Sequence, residues 1–265
     1  MFYHAKQSTL KLNDFECDYI RFGTGAKTLI MIQGLNTNGI QGSAFMLAFM
    51  YRMFAKEYTV YVFDRRKELK EVMSVKQFGD DLSKCMEALN LKDAHVIGVS
   101  LGGMIAQSLA IHYPHLVSKL IIALSAAKSN DIIEDVIHRW MDFTHRQQYK
   151  ELIYDMADKM YSESYLKRHK IFLPLLVKIQ TPKDAQRFIN MCQTCLTCDT
   201  VHDLSKIQCP VYVIGAQKDK IIGVDASQEM IEALKCQGYI YPDLGHAAYE
   251  EAKDFNQRMY DFLVS

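Results

Sequence analysis

The stretch that most constrains this chain is His95-Val-Ile-Gly-Val-Ser100-Leu-Gly-Gly-Met104. His95 to Val99 is a short, largely apolar run that reads as a buried strand. From Met104 to Ala110 the apolar residues recur at helical spacing. Strand, G-x-S-x-G and helix together demand a very sharp turn. A serine there takes a strained backbone conformation, and only small neighbours let strand and helix pass so closely. Its hydroxyl is pushed above the sheet edge, at the positive end of the helix that follows. The plainer reading is a tight turn whose serine only caps the helix. It is disfavoured because residues that suit a serine nucleophile follow downstream.

The rest of the chain alternates strands with helices. Phe15 to Phe22, Thr28 to Ile32, Tyr58 to Phe63, Leu120 to Leu124, Pro210 to Ile214 and Tyr239 to Tyr241 read as strands. Val75 to Leu89 is an amphipathic helix with Phe78, Leu82, Cys85, Met86 and Leu89 on one face. Ala44 to Ala55 is apolar on nearly every side, which predicts a helix covered by more than one layer. Asp225 to Leu234 and Glu250 to Leu263 are the last two helices, with Asp225 as an N-cap. This alternation implies an α/β fold with a mostly parallel central sheet and helices on both faces. Between 128 and 205 the strand signals stop and only helical periodicity remains. The expected organisation is a core of 1–127 and 206–265 with a helical cap inserted at 128–205.

The bulk numbers limit the function classes. At 265 residues the chain can bury a full core. Its 31 Lys and Arg balance 31 Asp and Glu, which gives no reason to expect a nucleic-acid groove or a membrane surface as partner. The first residues lack the apolar core of a signal sequence, and no stretch is long and apolar enough to span a bilayer. Seven cysteines without secretory context read as reduced thiols. A cytoplasmic protein acting on a small-molecule substrate is expected.

A serine hydroxyl needs a base to take its proton, and the base needs an acid to orient it. Two further loops at carboxyl ends of predicted strands carry suitable groups: Gly215-Ala-Gln-Lys-Asp219 and Leu244-Gly-His246. With G-V-S-L-G-G, C-P-V-Y-V-I-G-A-Q-K-D and L-G-H-A-A-Y-E-E in this order, the chain resembles the α/β-hydrolase superfamily, in its capped, esterase-like serine-hydrolase branch. The resemblance covers essentially everything outside the inserted helices. It implies Ser100 as nucleophile, His246 as general base and later acid, and Asp219 as the residue that fixes the imidazole. It also implies an oxyanion hole from the backbone N–H groups of Leu35 and Leu101. The loop that usually reads His-Gly-x in this family reads Gln33-Gly34-Leu35 here. The segment after Asp64, usually glycine-containing, is the charged run Arg65 to Glu71, for which the sequence offers no account.

The activity implied is hydrolysis of a small or medium ester, thioester or amide through an acyl-enzyme, with no cofactor and no metal. A lyase, an aminopeptidase gripping an amine through Glu134 or Asp135, and a non-catalytic ligand receptor remain as alternatives. Trp140 and Phe172, two aromatics of the insertion, are the candidates for substrate binding. Asp64, at a strand end, reads as a loop anchor rather than the orienting acid. Cys192, Cys195 and Cys198 recur every three residues with no histidine at ligand spacing, so they read as packed thiols rather than a metal site.

Overall fold

A computed structural model of the chain describes residues 2–265; Met1, at the head of the segment read above for a signal sequence, lies outside them. In chain order the elements are β1 (Lys6–Lys11), β2 (Glu16–Phe22), β3 (Lys27–Ile32), α1 (Ala44–Met50), β4 (Tyr58–Arg66) and α2 (Val75–Ala88). There follow β5 (Ala94–Val99), α3 (Leu101–His112) and β6 (Val117–Ala123). Five helices are then inserted: α4 (Asp131–His145), α5 (Tyr149–Met160), α6 (Glu163–His169), α7 (Leu173–Gln180) and α8 (Ala185–Leu196). The chain ends with β7 (Val211–Ala216), α9 (Val224–Leu234), β8 (Gln237–Tyr241), α10 (Ala248–Glu251) and α11 (Phe255–Val264).

The strands form one sheet in the order β1-β2-β4-β3-β5-β6-β7-β8. β2 is antiparallel to both β1 and β4, and every pairing from β4 to β8 is parallel. Parallel strands all end on one side, so the loops after β3, β5, β7 and β8 gather along a single edge. Both faces are covered, and successive residues of one strand feed opposite cores. Ile30 and Ile32 pack with α2 and α3, whereas Leu29 and Met31 pack with α1 and α11.

Several sequence expectations change in detail. β1 was not anticipated, because it is an edge strand of mostly polar, exposed residues that signals little by hydrophobicity. The helix expected from Ala44 to Ala55 stops at Met50 and continues as a 3₁₀ turn. It is not covered all round: Leu47 and Ala48 are buried, but Phe45, Met46 and Phe49 are exposed. The last helix is broken at Ala252, whose extended backbone separates α10 from α11. Gly223, not Asp225, holds the N-cap position of α9; Asp225 lies in its first turn, where a negative charge still suits the helix dipole.

The β5–α3 turn depends on missing side chains. A Cβ on Gly98 would fall 2.3 Å from the Gly102 carbonyl oxygen, and one on Gly102 would fall 2.1 Å from the Ile32 oxygen. Both obstacles are backbone, so neither can rotate away. Gly102→Ala is therefore expected to cost about 1–3 kcal/mol by overpacking β3 against α3, read as a lower melting temperature in circular dichroism. Unchanged melting would show that β3 and α3 can separate without cost.

Candidate active site

Ser100 sits between β5 and α3 with φ 54° and ψ −125°, an unfavourable backbone conformation for a non-glycine residue. The turn is fixed by its own hydrogen bonds. Ser100 N–H donates to the Ala123 oxygen at 2.9 Å, and the Ser100 carbonyl accepts from Gly103 N–H at 2.7 Å and Ser125 Oγ at 2.7 Å. The serine is half-buried. Beside it runs the loop after β3, so closely that a Cβ on Gly34 would lie 3.1 Å from Ser100 Cβ and 3.7 Å from Ser100 Oγ.

Two other strand ends supply an ionisable pair. His246 Nδ1 and Asp219 Oδ2 are 2.8 Å apart, and both residues are buried. The other carboxylate oxygen of Asp219 accepts from Ile221 N–H at 2.8 Å and Ile222 N–H at 3.0 Å. That backbone fork sets the direction in which Oδ2 points. With Nδ1–H donated to a carboxylate, the lone pair of a neutral ring is left on Nε2. Among the described residues neither Leu35 N–H nor Leu101 N–H is taken up in a hydrogen bond.

The loop carrying Gly34 and Leu35 is held from three directions. Arg65 reaches across from β4, and its Nη2 donates to the carbonyls of Gln33 at 2.5 Å and Gly34 at 2.6 Å. Asp64 Oδ2 accepts from Ile40 N–H at 3.2 Å, and its Oδ1 meets Arg187 Nη2 of α8, also at 3.2 Å. Asn38 Nδ2 donates to the carbonyls of Ile179 and Thr181, both at 3.0 Å, while its Oδ1 accepts from Lys183 N–H. The inserted helices are tied to the histidine loop as well: Ala247 N–H donates to the Met160 oxygen at 2.8 Å.

Asp64 is thus a loop anchor, as its position at a strand end suggested. Arg65 and Asn38 were not singled out by the sequence. The available signal was an arginine within an apolar strand that runs three residues past Phe63. Trp140 is 3% exposed, packed in the core with its Nε1–H donated to Asp155 Oδ2 at 2.9 Å; Phe172 is 59% exposed on the outside of the insertion. Glu134 and Asp135 are exposed on α4, with Asp135 paired to Arg139 at 3.0 Å. Cys192, Cys195 and Cys198 are buried, and burial pushes each thiol up from its ordinary range. His95, at the far end of β5 from Ser100, is a core histidine held to Tyr58 Oη at 3.1 Å, with its pKa lowered to about 4 by burial.

A sheet in this order, with a serine at the elbow after β5 and a carboxylate–histidine pair after β7 and β8, defines the α/β-hydrolase class. Residues 27–253 match the family described as Serine aminopeptidase, S33, and the chain belongs to that family. Among curated relatives, 3-oxoadipate enol-lactonase 1 of Acinetobacter baylyi is 22% identical, over 79% of this chain and 80% of its own. The solved enol-lactonase of Burkholderia xenovorans LB400 superposes with a TM-score of 0.86 at 18% identity, covering 97% of this chain and 100% of its own. An α/β hydrolase from a Medee basin deep-sea metagenome library gives 0.88 at 19%, covering 97% and 98%. At these identities the solved structures speak for the fold.

Proposed function

We propose that this α/β hydrolase cleaves a small or medium carboxylic ester, thioester or amide through an acyl-enzyme on Ser100. The observation that carries the reading is the buried His246–Asp219 pair at the same sheet edge as a half-buried serine on a strained elbow. In this reading Ser100 Oγ attacks the substrate carbonyl carbon while its proton passes to His246 Nε2. The carbonyl π pair moves onto oxygen, where Leu35 N–H and Leu101 N–H receive it. Collapse expels the leaving group, protonated by His246, and water repeats the sequence to release the acid. Preorganised donors of this kind commonly supply the largest single share of the rate. No step calls on a metal or an organic cofactor. Residues 128–205 act as a cap, supported by their ties to the Asn38 loop and the histidine loop. The enol-lactonase relatives bring cyclic esters into the range to be tested.

Aminopeptidase activity, which the family's description favours, would need a carboxylate at the amine. Glu134 and Asp135, the acids considered for it, are solvent-exposed, and this supports the ester reading over it. A panel of chromogenic esters of rising acyl length, a lactone and amino-acid amides tests the choice. Turnover of the amino-acid amides alone would replace the present reading with an aminopeptidase that takes a free amine. Absence of both turnover and labelling by a fluorophosphonate would make the protein a receptor.

The pH profile separates mechanisms. With an activated ester, kcat/KM is expected to rise with pH through one ionisation and then level off. The sign follows because only the neutral imidazole can accept the Ser100 proton. A lyase using the imidazolium as acid would lose rate as pH rises. A flat profile with substantial turnover would overturn the assignment of His246.

A further inference from the structure

We infer that Arg65 is a positioning residue for the oxyanion hole: its guanidinium holds and polarises the Gly34–Leu35 peptide, the same peptide whose N–H faces the developing oxyanion. The inference rests on the reading of Leu35 N–H as an oxyanion donor and gives it a cause.

The covalent connection is the starting point. The Gly34 carbonyl and the Leu35 N–H belong to one amide. A hydrogen bond donated to the oxygen of an amide draws electron density away from its nitrogen, and the N–H becomes a stronger donor; chains of hydrogen bonds reinforce one another in this way. A charged donor does this more strongly than a neutral one. Arg65 Nη2 makes that bond at 2.6 Å, and the same nitrogen donates a second one to the preceding carbonyl, Gln33, at 2.5 Å. One planar group thereby fixes two successive peptides in orientation as well as in charge distribution.

The surroundings leave the cation effective. The Arg65 side chain is 2% exposed, so water does not screen it. Its nearest anion is Asp64, whose Oδ1 lies 3.8 Å from Arg65 Nη1 but closer, at 3.2 Å, to Arg187. A buried and a partly buried guanidinium therefore share one carboxylate. Burial lowers the Arg65 pKa to about 10, which still leaves it protonated near neutrality. Among the described residues neither Arg65 Nε nor Nη1 has a hydrogen-bond partner, so the direct hydrogen bonds of this buried side chain are concentrated on the Gln33 and Gly34 carbonyls. The same contact pins the backbone of the loop that has glutamine where histidine is usual, and it gives the first residue of the charged run a role.

The test uses the full chain and a trifluoromethyl ketone. Ser100 Oγ adds to its carbonyl carbon, the hydroxyl proton goes to His246, and the carbonyl oxygen becomes a hemiketal oxyanion whose pKa is read by ¹³C NMR. Arg65→Met is expected to lower kcat about tenfold to a hundredfold, less than outright loss of an oxyanion donor, with KM changed by no more than about twofold. The hemiketal pKa should rise by about one unit. Arg65→Lys, which keeps a buried cation but without the planar guanidinium that places Nη2 on both carbonyls, should fold even if Arg65→Met does not, and should fall between it and the parent in both readouts. A folded variant with parental kcat and hemiketal pKa overturns the proposal. So does a variant that loses kcat while the hemiketal pKa stays put, because Arg65 would then serve the fold alone. Full activity in Ser100→Ala would instead remove the underlying reading, and the adduct would not form.

Discussion

Ser100→Ala is expected to abolish turnover while leaving the protein folded, with kcat down by on the order of 10⁶, and His246→Ala should match it. The equality is the informative part. In the proposed mechanism nucleophile and base act as one unit, so either loss would forfeit the whole covalent route, leaving only what binding and the proposed Leu35 and Leu101 donors provide. Their effects on stability should differ. Ser100 Oγ is not part of the hydrogen bonds that hold the turn, which run through its backbone, so Ser100→Ala should melt close to the parent. His246→Ala leaves Asp219 Oδ2 buried without its partner, while Oδ1 keeps its two backbone donors. Stranding a buried acceptor costs about 1–3 kcal/mol, more for a charged one, so this variant should melt several degrees lower. Steady-state kinetics beside thermal unfolding checks both. A Ser100→Ala protein with even a tenth of parental activity would show that the nucleophile lies elsewhere.

The order of strands and helices was legible because buried parallel strands are written as unbroken apolar runs, and because G-V-S-L-G-G admits few backbone solutions. Asp219 and His246 were legible for a related reason. A parallel sheet sends every strand end to one edge, so chain position alone put the loops that carry them on the same edge as Ser100. What stayed hidden depended on direction rather than composition. The segment from Phe45 to Met53 is greasy, but hydrophobicity does not say which side meets another layer, and half of it meets solvent. Trp140 and Phe172 are both aromatic residues of the inserted helices, yet Trp140 is in the core and Phe172 is exposed. β1 pairs through its backbone, and its polar side chains give the ladder no signature. Arg65 was the hardest to see. An arginine at a strand end ordinarily reads as solvated, and only the fold turns it inward onto carbonyls 31 and 32 residues earlier in the chain.

Asp219→Asn should lower kcat by about 10⁴, less than loss of the base itself, and the reason lies in which atoms the substitution leaves alone. The amide oxygen of asparagine can still accept from Ile221 N–H and Ile222 N–H, so the loop after β7 should keep its shape. The amide nitrogen then occupies the place of Oδ2, 2.8 Å from His246 Nδ1. Two donors cannot face one another, so the ring adopts the tautomer with Nδ1 unprotonated and its proton on Nε2. In that tautomer Nε2 has no lone pair for the Ser100 hydroxyl, and the imidazolium loses its counter-charge as well. Rate should recover in part at high pH, where hydroxide can take the serine proton directly. No other carboxylate among the described residues bonds to His246. Asp64 is engaged by Ile40, Arg65 and Arg187, and the Asp243 side chain is 84% exposed beside Lys218. Measuring kcat for Asp219→Asn, Asp64→Asn and Asp243→Asn against pH therefore locates the acid. If Asp219→Asn stayed near parental activity while either of the others collapsed with its fold intact, the acid would have to be reassigned, and the buried pair at 2.8 Å would be a structural contact.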